Sequence, residues 1–104
     1  MAQALIPVER IRAPLLLLSG QDDQMWPASE MARQIVDRRR EHRVGAEDRH
    51  LDFPDAGHFL RPPITPTTVP WTEALVGGGT GPGNATAQRE GWAALLEFLN
   101  SRLV

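Results

Sequence analysis

Asp22 and Asp23 follow the apolar run Pro14 to Leu18 and the small pair Ser19-Gly20. His58 follows a shorter run, Leu51 to Phe53, and the turn Pro54-Asp55-Ala56-Gly57. Both runs read as strands, so each ionisable group stands on a loop just past a strand's C-terminal end. A carboxylate and a later histidine placed in this way are the second and third members of a Ser/Cys–Asp–His triad. In that chemistry the imidazole takes the nucleophile's proton, while the carboxylate fixes its tautomer and stabilises its cation. The first member has no counterpart. Ser19, Ser29 and Ser101 each lack the glycines of a Gly-x-Ser/Cys-x-Gly elbow, and the chain has no cysteine.

Asp22 and Asp23 compete for the acid. The spacing Gly20-x-x-Asp23, with Pro27 opening a helix, favours Asp23. Asp22 is then a helix-entry or loop hydrogen-bond acceptor. Taken alone, Asp-Asp reads better as a solvated turn with Asx-type bonds. Among the histidines, His42 falls in the polar tail of a helix, and His50 opens a strand without an acid or small-residue context. His58 follows Ala56-Gly57, where glycine lets the backbone turn and aim the ring over the strand ends, with Phe59 and Leu60 available to shield it. A metal site needs three convergent ligands, and these histidine spacings offer none of the usual patterns.

The elements that must hold these groups form a strand, a helix and a strand. Leu15-Leu16-Leu17-Leu18 has no alternation and suits a strand buried on both faces of a parallel sheet. Pro27 fits a helix's first turn, and Ala28 to about Glu41 has Ala28, Met31, Ala32, Ile35 and Val36 on one face. His50 to Phe53 is the second strand, which makes a parallel βαβ unit. From Arg61 to Gly83 the chain is a long Pro/Thr/Gly-rich loop containing Trp71 and Ala74-Leu75-Val76. Asn84 is placed to cap a last helix running to about Leu103, with Trp92, Leu95, Leu96, Leu99 and Leu103 as its apolar stripe. Two strands and two helices cannot cover an all-apolar central strand, so the 104 residues read as the last quarter of a larger doubly wound domain.

Composition excludes several functions. No apolar stretch approaches the roughly 20 residues of a membrane span, and Met1 to Arg12 has no secretory core. The expectation is a soluble, cytoplasmic protein. All eleven basic residues are arginine, as in a GC-rich coding bias, and the net charge of −2 gives no field for nucleic acid. Arg38, Arg39, Arg40 and Arg43 read as solvated cations at a helix C-terminus. The run Gly77-Gly78-Gly79-Thr80-Gly81-Pro82-Gly83 lacks the Lys-Ser/Thr of a phosphate loop and reads as a flexible connector.

The chain resembles the C-terminal part of the acyl-CoA thioesterase / bile-acid-CoA:amino-acid N-acyltransferase family, a branch of the α/β-hydrolases. The likeness runs from about Ile6 to Leu103. It is carried by Ile11 to Pro27, by Pro54-Asp55-Ala56-Gly57-His58-Phe59-Leu60-Arg61-Pro62-Pro63, and by Gly78-Gly79-Thr80 with Gly83-Asn84-Ala85 and Ala87-Gln88. The resemblance implies the C-terminal βαβ-α portion of an α/β-hydrolase parallel sheet, incomplete as a stand-alone domain and spanning residues 1–104. It implies a Ser- or Cys-Asp-His triad that attacks an acyl-CoA thioester and releases the acyl group to water or to an amino acid. By motif position Asp23 is the acid and His58 the base. The nucleophile and the oxyanion amides would lie in an upstream N-terminal portion. No cofactor or metal is implied. Losing a triad nucleophile costs roughly 10⁶-fold in turnover, so the chain alone is expected to be inactive. A carboxylesterase fragment and a non-catalytic α/β interaction module are the competing readings.

Overall fold

The computed structural model describes residues 6–58 and 77–103. Phe59, Leu60, Trp71, the patch Ala74-Leu75-Val76, the side chain of Leu103 and most of the expected 61–83 loop lie outside the described residues.

Among the described residues the order is a 3-10 turn at Val8–Arg10, strand β1 at Leu16–Gly20, helix α1 at Ala28–Glu41, strand β2 at Arg49–Phe53, and helix α2 at Gly81–Leu103. The strands pair in parallel, in register from Leu16 opposite Arg49 to Gly20 opposite Phe53. The expected α/β arrangement of a parallel strand–helix–strand unit with a closing helix is therefore present. Successive strand side chains point to opposite faces. Leu18 and Leu51 accordingly pack with Phe53, Ala56 and Ala87 on the α2 side. Ser19 and Asp52 meet Ser29 of α1 on the other side. Each fully buried large apolar side chain contributes about 1.5–3 kcal/mol.

Two helix faces differ from the sequence expectation. In α1 the buried positions are Ala32 and Arg39, while Met31 is exposed. Arg39 is 1% exposed and donates to the Val8, Ile11 and Ala13 carbonyls at 2.8–3.0 Å and to the Asp48 carboxylate. It therefore ties the segment before β1 to the turn before β2, and it is not part of a solvated arginine cluster. Arg38 pairs with Glu9 at 2.7 Å. That contact and a backbone hydrogen bond, with smaller Coulombic contributions, lower the Glu9 carboxyl to about 2.

In α2 three members of the expected apolar stripe face away from the core, while Leu95 is half-buried. Trp92, Leu96 and Leu99 are exposed, and the small residues Ala87, Gly91 and Ala94 are buried instead. The space that a large side chain would need is filled by Leu18 and Phe53, which stand nearest to Gly91. The helix also starts earlier than Asn84, so Gly81 to Gly83 are its first turn and not the end of a loop. Thr80 Oγ1 accepts the Gly83 N–H at 3.0 Å, which is the capping bond. No helix among the described residues is long and apolar enough to cross a membrane.

Candidate active site

Strand β1 hands the chain to a loop that folds across the end of β2. The Gln21 N–H reaches the Phe53 carbonyl and the Asp22 N–H reaches the Ala56 carbonyl, each at 2.9 Å. Asp23 follows, its side chain 4% exposed. Its two oxygens have separate tasks. Oδ1 accepts the Met25 and Trp26 N–H groups at 2.9 and 3.0 Å. Oδ2 lies 3.0 Å from His58 Nδ1. Burial pushes the Asp23 carboxyl up, but the Trp26 N–H, the His58 imidazole and the Met25 N–H outweigh it and hold the group below its usual value.

His58 arrives from the other strand. Asp55 takes a left-handed φ of 57°, and Ala56 and Gly57 are buried behind it. The His58 N–H is held by the Gly77 carbonyl at 2.8 Å. The Trp26 ring meets the imidazole edge-on, with centroids 4.5 Å apart and planes at 77°. Since an ionised carboxylate only accepts, the Asp23 contact requires His58 to carry its proton on Nδ1, which makes Nε2 the basic nitrogen. The chemistry such a pair supports is proton transfer at Nε2 with the imidazolium steadied by Asp23. The two residues singled out from sequence thus lie in direct contact. Asp22 is a loop acceptor, as expected, taking the Gly79 N–H at 2.7 Å.

Three features were not foreseen. Gly77 to Gly79 are not a flexible connector: Gly78 bridges to Asp23 and Gly79 to Ala56 in antiparallel fashion, and Gly77 and Gly78 are buried. Asn84 does not cap α2. It sits inside the helix, buried, and accepts the Gly57 N–H at 2.8 Å. His50 does have an acid context, because its Nε2 lies 2.7 Å from Ser19 Oγ, which in turn donates to Asp52 Oδ1 at 2.7 Å. Parallel register was the available signal for that cluster, since it sets Leu17 and Ser19 beside His50 and Asp52. His42 is a surface residue, its Nδ1 bonded to the Arg38 carbonyl at 2.8 Å. All three serine hydroxyls are engaged: Ser19 and Ser29 with Asp52, and Ser101 with the Phe98 carbonyl. Among the described residues no group of three metal-ligating side chains converges.

Comparison with known proteins adds the family context. The model of the family described as BAAT / Acyl-CoA thioester hydrolase C terminal matches residues 1–104. The chain is 30% identical over 105 residues to the peroxisomal succinyl-coenzyme A thioesterase of Mus musculus, covering 96% of this chain and 25% of that protein. It is 34% identical over 107 residues to acyl-coenzyme A thioesterase 1 of Rattus norvegicus, covering 97% and 25%. Against the mitochondrial acyl-coenzyme A thioesterase 2 of Homo sapiens it is 32% identical over 106 residues, covering 97% and 22%. The chain therefore spans about a quarter of the length of these relatives.

Proposed function

The chain belongs to the BAAT / acyl-CoA thioester hydrolase C-terminal family, and from that premise we propose that it supplies the acid, Asp23, and the base, His58, of a Ser/Cys–Asp–His triad of α/β-hydrolase type acting on acyl-CoA thioesters. The nucleophile and the oxyanion donors come from residues outside these 104. The observation that carries the reading is the Asp23–His58 contact, with one carboxylate oxygen held by backbone amides and the other on the imidazole. The engagement of Ser19, Ser29 and Ser101 elsewhere supports an external nucleophile.

In the proposed reaction His58 Nε2 takes the proton of the serine or cysteine as it attacks the thioester carbonyl. Asp23 stabilises the imidazolium that forms. The same nitrogen then protonates the departing coenzyme A sulfur, and an acyl-enzyme remains. Water, activated by Nε2, attacks the acyl carbon, and its proton returns through His58 to the nucleophile as the carboxylic acid leaves. The names of the relatives favour hydrolysis of a thioester over that of a carboxylic ester.

A domain exchange tests this. The corresponding C-terminal segment of the rat acyl-coenzyme A thioesterase 1 is replaced by this chain, and hydrolysis of acyl-CoA is followed by thiol release. The exchanged enzyme turns over, His58→Ala removes nearly all turnover, and the purified chain by itself releases no thiol. Turnover that survives His58→Ala unchanged would sink the assignment.

A further inference from the structure

Beyond Gly20 and Phe53 the two strands no longer pair, yet the acid and the histidine both lie beyond that point. Apart from the Asp23–His58 contact, the acid loop reaches the end of β2 and its loop through the Gln21 and Asp22 amides and through the Gln21 side chain, which donates to the Asp52 carbonyl at 3.2 Å. A third segment, far away in sequence, adds further connections. The Gly77 carbonyl accepts the Gln24 N–H at 3.3 Å and the His58 N–H at 2.8 Å. One peptide oxygen, with its two lone pairs, therefore holds the residue after the acid and the histidine itself. Gly78 bridges to Asp23 and Gly79 to Ala56. The Thr80 N–H closes the far side on the Asp55 carbonyl at 2.8 Å.

One side chain fastens the segment directly, and a second holds the histidine loop beside it. Asp22 Oδ2 accepts the Gly79 N–H at 2.7 Å, a charge-assisted bond from the residue adjoining the acid. Asn84 Oδ1 accepts the Gly57 N–H, next to the histidine. Gly78 and Gly79 have φ of 84° and 80°, and a Cβ on either would run into Asp22 or Asn84. The glycines here serve a fixed conformation and not a mobile one.

We propose that Gly77-Gly78-Gly79 is a strap that sets the acid loop and the histidine loop against each other, and that Asp22 is the positioning residue that fastens it for the Asp23–His58 pair. The inference rests on the proposed roles of Asp23 and His58. Removing the Asp22 carboxylate frees the Gly79 amide and loosens the acid loop at the residue before the acid. The strands, whose pairing ends at Gly20, keep their own bonds.

The test uses the exchanged enzyme, isotope-labelled in the 104 residues of this chain, and two nuclear magnetic resonance readouts: the His58 Nδ1–H proton signal and the hydrogen-exchange protection of the His58 and Gln24 amides. The unmodified chain shows the Nδ1–H signal, and Asp23→Asn shifts or removes it; absence of any such signal defeats the pairing itself, separately from the strap. Asp22→Ala removes the signal and lowers protection of the two amides by at least about tenfold, while the amides of β1 and β2 stay protected. Asp22→Asn restores both readouts, because its amide oxygen still accepts the Gly79 N–H. An Asp22→Ala chain that keeps the signal and the protection overturns the proposal. So does one in which strand protection collapses together with them, since Asp22 would then hold the fold and not the pair.

Discussion

The chain holds two aspartate–histidine constellations, and they differ in how the carboxylate reaches the imidazole. Asp23 meets His58 directly, through Nδ1, while backbone amides occupy its other oxygen. Asp52 reaches His50 only through Ser19, and its Oδ1 also takes the Ser29 hydroxyl at 2.5 Å. Burial raises the Asp52 carboxyl, but the Ser29 and Ser19 hydroxyls, with His50 and Arg33 nearby, bring it below its usual value. An ionised Asp52 only accepts, so the single Ser19 proton points to it. His50 Nε2 must then donate to Ser19 and cannot take a proton from it. A serine 2.7 Å from a histidine is therefore a structural contact here. The direction of the protons separates the two clusters, and distance does not.

That difference can be broken open by substitution. In the exchanged enzyme, Asp23→Asn should lower turnover by about 10⁴-fold, the scale of losing the orienting carboxylate of a triad. His50→Gln, on the other constellation, should leave turnover within a few fold. Conversely, Asp52→Ala strips Ser19 and Ser29 of their acceptor and should destabilise the chain by about 1–3 kcal/mol, read from denaturant unfolding, with the His58 Nδ1–H signal retained.

Acid treats the two clusters alike. Asp23, Asp48 and Asp52 all have lowered folded-state values, and Glu9 lies at about 2. Groups depressed in this way contribute stability above their unfolded values, near 4, and lose it as pH falls through the folded ones. The contribution of these carboxylates to the unfolding free energy should therefore be level down to about pH 5 and decline steadily from about 4 towards 2. The smallest effect lies away from both clusters. A Cβ at Gly91 would meet Leu18 and Phe53 at 3.5–3.9 Å, an ordinary contact, so Gly91→Ala should raise stability by about 0.5–1 kcal/mol in a thermal melt.

The Asp23–His58 contact was legible because strand ends announce themselves. The leucine run, Ser19-Gly20 and Pro27 mark where β1 stops and α1 begins, and Gly20-x-x-Asp23 selects one of two aspartates. Other features were hidden for physical reasons. The stripe on α2 assumed that the largest apolar side chains face the sheet, whereas Leu18 and Phe53 already fill that space and admit only Ala87, Gly91 and Ala94. Arg39 gave no sign of burial because three of its acceptors are backbone carbonyls, which no side-chain pattern reports, and its one carboxylate partner, Asp48, lies beyond the end of the helix. The glycine run read as mobile because glycine permits freedom as readily as it permits the left-handed turn that Gly78 and Gly79 adopt. Asn84 looked like a cap because caps share its chemistry, while its acceptor is spent on Gly57.

The most direct test of the division between the two constellations is thiol release from acyl-CoA by the exchanged enzyme, compared across His58→Ala, Asp23→Asn and His50→Gln. The first two should fall by several orders of magnitude, and the third should stay near the unmodified rate. Equal loss in all three, or loss confined to His50→Gln, would contradict the assignment of Asp23 and His58 as acid and base.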